Sequence, residues 1–311
     1  MSSSPRVLRE VNVLSVGNLT IDEIISNTEA PRIQTGGASF YSAMASLILN
    51  ARPTVKSSIG PDYPRETLEW MTQKGVSLDS VTVHDSAPST RFCLEYTGEE
   101  RKMILLNPGM PVRRKSLSVR PEIVHLAPVY HEIDIETAED CSGRSKLVGL
   151  DVQGLLRKAG RSGEVRVQAL NIKRFLEKCH AVKASLEEAR AITSVKDPAE
   201  MAMALQKNGP KFALVSLGRK GIVLATGKRG HVMKVPSYSE IHEGDLTGAG
   251  DVMFAGWLIT YFRARDPIWA SAVGNALASL ILQRFGRTRF RVSKSELFRR
   301  ASKIYGDVVS I

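Results

Sequence analysis

The residues best placed to do chemistry lie in a stretch that reads GDLTGAGDVMFA. Its three small residues, Gly248-Ala249-Gly250, come directly before a helical run, so backbone N–H groups at a helix N-terminus are open to a phosphate. Asp251 falls in the first helical turn, beside any phosphate that this loop holds. A carboxylate there can take the proton of an acceptor hydroxyl as a phosphoryl group arrives. The spacing alone leaves a second interpretation open, in which Asp251 only caps the helix.

Short β-branched runs alternate with helical runs along most of the chain, which predicts an α/β protein with a parallel sheet. The apolar run 11–16 predicts a buried strand, and ASFYSAMASLILN at 38–50 predicts a helix. We interpret residues 1–311 as a single domain. Further strands are predicted at 54–59, 124–126, 147–152, 181–184 and 212–217, and further helices in the 60s and at 172–178, 186–192, 198–207 and 267–286.

Two stretches depart from this alternation. Residues 90–97 and 101–106 predict a β-hairpin, and a short extended piece precedes Gly36. Together they predict a small sheet apart from the main one, in effect a lid, with strands within 23–35 and 88–106. Because the segment 23–35 is short, we expect the lid to be reduced.

The composition is that of a globular protein, with 43% hydrophobic and 24% charged residues, which excludes a disordered or fibrous chain. No apolar run reaches the roughly 18 to 20 residues that a membrane span needs, and the first residues lack the order of a signal peptide. Cys93, Cys141 and Cys179 lie far apart, which disfavours a disulfide framework or a zinc site. A cytoplasmic protein without a membrane partner is therefore expected.

The net charge of +11 raises the question of nucleic acid. Basic residues cluster at 113–115 and again at 284–303. The second cluster is not interleaved with aromatic residues that stack on bases, and no helix-turn-helix spacing accompanies it. We interpret it as a solvated basic surface that also attracts an anionic nucleotide, and we expect no nucleic-acid partner.

The segment DLTGAGD, residues 245–251, closely resembles the second signature of the ribokinase-like (PfkB) carbohydrate kinases, a D-x-T-G-A-G-D pattern. The resemblance implies a three-layer fold with a central, mostly parallel sheet, flanking helices and a small β lid. It also implies that Asp251 is the catalytic base and that Gly248, Ala249 and Gly250 form an anion hole for the transferring phosphoryl group. Thr247 is implied to position the triphosphate.

Other stretches match the family in the same order along the chain. The resemblance of GNLTID makes Asp22 a substrate-binding carboxylate, and that of GGASFYSA brings Gly36 and Gly37 close to the acceptor. KASLEEA resembles the N-x-x-E element that orders magnesium and phosphate, which makes Glu188 the implied metal ligand. The residues implied to bind the nucleotide are Lys183, Ser185, Ser216, Gly218, Gly221, Thr247 and Asn275.

Departures from the family pattern bear on the acceptor and the metal. Tyr41 stands where ribose-type enzymes commonly carry Asn, which argues against ribose. LDVQGLLR is similar to a stretch of archaeal inositol-kinase-like members, so Asp151, Gln153 and Arg157 are expected on the phosphate or acceptor side. A strand end and a helix cap explain these three equally well. Ser185 replaces the usual Asn of N-x-x-E, which weakens the assignment of magnesium ordering to this element.

The resemblance therefore implies an enzyme that transfers a phosphoryl group from ATP, with Mg²⁺, to a hydroxyl of a small sugar or cyclitol. Tyr41, the short lid and residues 150–157 favour myo-inositol as the acceptor. A nucleoside is the second choice, because an aromatic ring near the two glycines can stack on a base. A non-catalytic sugar or nucleotide sensor is an alternative that the intact base and anion hole disfavour. A reduced lid also predicts a homodimer in which the partner covers the site.

Overall fold

The computed structural model describes residues 10–26, 30–97, 100–113, 120–143, 145–227, 230–238, 247–282 and 290–311. Its strands are β1 (Asn12–Val16), β2 (Thr20–Ser26), β3 (Arg32–Gly36), β4 (Arg52–Ile59), β5 (Ser77–Val83), β6 (Thr90–Thr97), β7 (Glu100–Asn107), β8 (Ile123–Leu126), β9 (Leu147–Asp151), β10 (Arg157–Ala159), β11 (Val165–Val167), β12 (Ala181–Ser185), β13 (Phe212–Ser216), β14 (Ile222–Ala225), β15 (Val232–Val235) and β16 (Val309–Ser310). Its α-helices are α1 (Ala38–Ile48), α2 (Arg65–Gln73), α3 (Ile135–Ser142), α4 (Gln153–Leu156), α5 (Lys173–Leu176), α6 (Leu186–Thr193), α7 (Pro198–Lys207), α8 (Ala249–Ala264), α9 (Pro267–Leu282) and α10 (Lys294–Gly306), and a 3₁₀ turn covers Gly218–Lys220.

A large mixed sheet forms the centre of the molecule. Its ten strands run in the order β16-β15-β14-β13-β12-β9-β8-β1-β4-β5. The strands from β13 to β5 pair in parallel, and β14, β15 and β16 add an antiparallel edge. The prediction of a central, mostly parallel sheet is confirmed.

Helices cover both faces of this sheet. Because side chains alternate along a strand, Val13 enters the core on one face and Leu14 the core on the other. The first core contains α1, α8 and α9, and the second contains α3, α6 and α7. The fold is therefore the expected three-layer α/β arrangement, and continuous apolar strands such as β1 are buried on both sides. Within the described residues, no helix has the length and apolar character that a membrane crossing requires.

A second sheet stands apart, and we call its four strands, β3-β2-β6-β7, the small sheet. Ile24, Phe92 and Leu94 on one of its faces pack against Ala127 and Val129, which follow β8. The hairpin of β10 and β11 joins at its β7 edge. The segment around residues 23–35 supplies two strands of this sheet, because β2 and β3 pair with each other there. The expectation of a reduced lid is therefore wrong. Residues 27–29, between the two strands, lie outside the described residues.

Local sequence signals explain where several elements begin. The Asp266 carboxylate accepts hydrogen bonds from the N–H groups of Ile268 and Trp269, each at 2.9 Å, so Asp266-Pro267 opens α9 as predicted. The end predicted for this helix, at 286, lies outside the described residues. Strands β5, β14 and β15 and helix α10 were not predicted. The three cysteines are buried free thiols, as expected.

Candidate active site

The candidate site lies at the edge where the parallel strands of the large sheet end. Strands β9 and β12 are neighbours, and Asp151 at the end of β9 lies opposite Lys183. Helix α8 packs against β8 and β9 and brings its first turn to the same edge. Ligands of open α/β sheets bind at this edge, beyond the carboxyl ends of the strands.

The loop before α8 needs its glycines. Gly248 has a φ of 78°, in the left-handed region that side chains disfavour. A Cβ at this position would also lie 2.5 Å from the ring of Tyr41, and one at Gly250 would lie 3.1 Å from Nζ of Lys183. Because Gly248 has no side chain to cap the helix, the first N–H groups of α8 are left for another partner. This is the geometry of an anion site at a helix N-terminus.

Tyr41 supports this loop from within the core. Only 2% of it is exposed, and its ring packs edge-on against Phe40 with 5.4 Å between centroids. The ring of Phe290 lies 6.4 Å away on another side. Tyr41 therefore leaves no face on which a nucleoside base could stack, in contrast to the position expected from the sequence.

Asp251 is 9% exposed and lies in the first turn of α8. Nε2 of Gln153 donates to its Oδ1 at 2.8 Å. Burial and the Asp151 carboxylate raise the pKa of Asp251 to about 6, against the opposing effects of Lys183, Arg157 and the Gln153 hydrogen bond. Asp251 is therefore a stronger base than an ordinary Asp while it stays mainly ionised at neutral pH.

Beside Asp251 lies a buried ion pair. Nζ of Lys183 donates to Oδ2 of Asp151 at 2.9 Å, with the two side chains 8% and 0% exposed. Burial lowers the pKa of Lys183, but the carboxylates of Asp151, Glu188 and Asp251 raise it by more than burial lowers it. The pKa therefore lies above its ordinary value, and the ammonium stays charged. The structure thus places a fixed positive charge directly beneath Gly250.

Ser185 and Glu188 form a capping box at the start of α6. Oε2 of Glu188 accepts from the N–H of Ser185 at 2.7 Å, and the N–H of Glu188 donates to Oγ of Ser185 at 3.3 Å. Glu188 is the carboxylate called as the metal ligand. Among the described residues, no group of three or more His, Cys, Asp and Glu side chains converges on a metal position. A single carboxylate fits Mg²⁺ that keeps several waters and binds mainly to substrate phosphates.

Asp22, Gly36 and Gly37 meet where the small sheet joins α1. Asp22 is 5% exposed, and a Cβ at Gly36 would lie 2.6 Å from its Oδ2. Gly37 has a φ of 96°, and a Cβ there would lie 2.4 Å from the backbone oxygen of Asn18. Both glycines are thus required by close approach, and the carboxylate of Asp22 borders the space that a side chain at Gly36 would fill.

One contact between the small sheet and the anion loop was missed by the sequence analysis. The hydroxyl of Tyr96, on β6, lies 2.9 Å from Oγ1 of Thr247. The two residues are 151 positions apart, so no local pattern indicates the pair. A Tyr at the end of the predicted hairpin was the only available signal.

Four of the residues predicted to bind the nucleotide lie at the antiparallel side of the sheet: Ser216, Gly218, Gly221 and Asn275. Ser216 ends β13, and Gly218 and Gly221 have φ values of 60° and 91° in the turn that follows. A Cβ at Gly221 would lie 2.1 Å from the oxygen of Val235. Nδ2 of Asn275, on α9, donates to the oxygen of Pro236 at 2.9 Å. Asn275 therefore ties α9 to the end of β15.

The loop after β8 is organised by a buried carboxylate. Glu132 is 3% exposed, and its oxygens accept from the N–H groups of Asn18, Val129 and Tyr130 at 2.7 to 2.8 Å. The sequence analysis assigned no function to this residue. Its three bonds fix the backbone of residues 129 and 130 beside the site.

The basic surface expected near the C-terminus is described in part. Arg299 and Arg300 donate to Glu296 at 2.7 to 2.8 Å, and both lie over the ring of Tyr238. Residues 283–289, which include Arg284, Arg287 and Arg289 of the cluster, lie outside the described residues. Arg299 and Arg300 thus already hold a carboxylate and an aromatic ring.

Comparison with known proteins places this geometry in context. The model of the pfkB family carbohydrate kinases matches residues 12–293. A cytidine kinase of Thermococcus kodakarensis is 22% identical over 89% of this chain and 98% of its own length. A nucleoside kinase of Methanothermobacter thermautotrophicus is 23% identical over 88% of this chain and 89% of its own.

A solved structure has the same fold. It is a pyrophosphate-dependent kinase of the ribokinase family, in complex with a pyrophosphate analogue and myo-inositol. The two superpose with a TM-score of 0.76 at 20% identity, covering 92% of this chain and 99% of the other. The likeness at this level of identity concerns the fold.

Proposed function

The chain belongs to the pfkB family of carbohydrate kinases, and from this premise we propose that it transfers a phosphoryl group from ATP to a hydroxyl of a small polyol. The observation that carries the proposal is the position of Asp251, which is buried as the third residue of α8, directly after the anion loop Gly248–Gly250. A base and an anion site are thereby held within one helical turn.

In the proposed reaction Asp251 accepts the proton of the acceptor hydroxyl, the oxygen attacks the terminal phosphorus, and ADP leaves. The N–H groups of Gly248–Gly250 and the ammonium of Lys183 stabilise the charge on the phosphoryl oxygens. A phosphoryl transfer of this type needs little covalent help, so the main contribution of these residues is position and charge.

Mg²⁺ would neutralise the phosphates of the donor. Glu188 is the residue that would hold it, through water, because its carboxylate is 9% exposed at the start of α6. The carboxylate already accepts one hydrogen bond from Ser185, which leaves its second oxygen for a hydrated ion.

For the acceptor we propose a cyclitol first and a nucleoside second. Asp22 supplies a carboxylate suited to accepting hydrogen bonds from a ring of hydroxyls. Of the grounds for myo-inositol, the short lid no longer stands and Tyr41 is buried, while the 150–157 stretch remains. Support for a nucleoside comes from the curated relatives rather than from an exposed aromatic ring. The reason for expecting a homodimer also depended on a reduced lid and no longer applies.

The test is product formation, measured by mass spectrometry of the phosphorylated acceptor. The panel is myo-inositol, ribose, fructose, ketodeoxygluconate, adenosine and cytidine, each with Mg²⁺ and with ATP or pyrophosphate as donor. Direct detection of the product makes the assay independent of the donor. Asp251→Asn, which keeps the size of the side chain, is the matched control.

Phosphorylation of one acceptor with ATP, lost in Asp251→Asn, is the expected result. Product with pyrophosphate alone would correct the donor and keep the kinase. A sample that binds ATP in calorimetry but forms no product with any of these acceptors would count against the proposal and favour a sensor.

A further inference from the structure

Arg157 determines which way the Gln153 amide points. Gln153 begins the single-turn helix α4, and Arg157 is the residue directly after its end, so one short turn brings the two side chains together. Nη2 of Arg157 lies 2.9 Å from Oε1 of Gln153. A guanidinium can only donate, so the atom that faces it must be the amide oxygen. The amide NH₂ group is thereby turned toward Asp251.

Gln153 in turn determines which oxygen of Asp251 stays unprotonated and accepts a hydrogen bond. Its Nε2 lies 2.8 Å from Oδ1 of Asp251 and can only donate. Oδ1 must therefore accept, and a proton taken up by Asp251 must reside on Oδ2. A donated hydrogen bond also stabilises the ionised carboxylate.

Arg157, which begins this series of hydrogen bonds, is itself anchored to a fixed part of the backbone. Nη1 of Arg157 donates to the carbonyl oxygen of Val129 at 2.8 Å. The N–H of Val129 is itself held by Oε1 of Glu132 at 2.8 Å. Arg157 also stacks on Phe92 of the small sheet, with its guanidinium carbon 5.6 Å from the ring centroid. Its fork therefore has little freedom to release Gln153.

We propose that Arg157 and Gln153 act as a positioning pair that keeps Oδ1 of Asp251 as a hydrogen-bond acceptor and directs the base function to Oδ2. This inference rests on the proposed function and assigns Gln153 to the base, whereas the sequence assigned it to the acceptor. Among the described residues, the charged groups that face Asp251 are Asp151, Lys183 and Arg157. Asp151 opposes its ionisation, and the two cations and the Gln153 bond favour it.

The experiment measures two quantities in the full chain across pH 5 to 9. One is the acid limb of kcat, together with KM for the acceptor. The other is the titration of the Asp251 side-chain carbon by ¹³C NMR, assigned by loss of the signal in Asp251→Asn. Gln153→Met keeps the size and removes the donor, so both the limb and the titration should move upward by about one to two pH units. KM for the acceptor should change less than threefold.

Two further variants separate orientation from charge. Gln153→Glu keeps a partner for Arg157 but offers Asp251 a negative charge, so it should shift the titration further than Gln153→Met. Arg157→Lys keeps the positive charge but cannot bridge Val129 and Gln153 together, so it should give a smaller upward shift. If charge alone mattered, Arg157→Lys would leave the titration unmoved.

A higher acceptor KM with an unmoved acid limb and titration would overturn the inference and return Gln153 to the acceptor. A uniform fall in kcat at every pH would also overturn it, since a structural defect acts that way. The NMR titration needs no turnover. If no acceptor is phosphorylated, the proposed function fails while the titration still decides the positioning pair.

Discussion

The two regions that meet at the site differ in the kind of side-chain contact that holds each of them together. We call Asp151, Gln153, Arg157, Lys183 and Asp251 the base cluster; its members are charged or amide side chains joined by bonds of 2.8 to 2.9 Å. The small sheet is instead held in place by the apolar packing of Ile24, Phe92 and Leu94. The residues of the base cluster lie on strands of the large sheet and on helices at its edge, and strand pairing fixes their positions. The chemistry is therefore placed on the rigid part of the molecule.

The difference predicts separate effects of substitution. Changes in the base cluster should alter stability and kcat, because they expose or discharge buried groups. Changes in the small sheet should alter acceptor KM. Tyr96 and Thr247 provide a polar contact between the small sheet and the anion loop.

The largest expected effect is that of Lys183→Met. It leaves the Asp151 carboxylate buried without its cation, so the free energy of unfolding should fall by about 3 to 5 kcal/mol. Denaturant unfolding measures it. Lys173→Met, which breaks an exposed pair with Glu177, should change little. Equal losses of unfolding free energy in the two variants would show that the buried pair of Lys183 stabilises the fold no more than an exposed pair does.

Next comes Gly36→Ala in the small sheet. The new Cβ would lie 2.6 Å from Oδ2 of Asp22 and displace that carboxylate, so acceptor KM should rise about tenfold or more, with kcat less affected. Steady-state kinetics with the identified acceptor measure both constants. Gly306→Ala, where a Cβ meets open space, is the control. An unchanged KM would remove Asp22 from acceptor binding.

The pH dependence should be an intermediate effect. Asp251 works as a base only when ionised, and burial raises its pKa to about 6. The value of kcat/KM should therefore fall as pH drops through about 6, and approach a tenfold loss per unit below about 5. A profile that stays flat to pH 4.5 would mean that Asp251 keeps the pKa of an ordinary Asp.

The smallest expected effect is that of Tyr96→Phe. It removes one hydrogen bond to Thr247, which is worth about 0.5 to 1.5 kcal/mol, so kcat/KM should fall between about twofold and tenfold. Tyr305→Phe, which removes an exposed hydroxyl contact with Asp266, serves as the control. If both variants matched the parent, the small sheet and the anion loop would act independently.

Much of the large sheet was readable from the sequence. Strands such as β1 and β13 are continuous apolar runs, and the α8 and α9 starts carry local glycine, Asp and Pro signals. The chemistry of the anion loop was likewise local, since Gly248 and Asp251 lie within four positions.

The rest depends on contacts that sequence distance hides. Gln153 and Asp251 are 98 positions apart, so their bond has no local pattern. Tyr41 was predicted to face an acceptor, because the residues next to a Tyr in the sequence do not distinguish a position in the core from one in a pocket. The antiparallel edge of β14 and β15 was missed because short strands around turns carry weak periodicity.

The most direct test of the central claim compares Asp251→Asn with the parent protein at pH 8. Both are first shown by calorimetry to bind Mg²⁺–ATP with the same affinity, and product formation is then measured with the acceptor found in the panel. If Asp251 is the base, turnover should fall by about 10²–10⁴ while ATP affinity stays unchanged. Turnover within a few-fold of the parent would contradict the account and leave Asp251 with a structural role only.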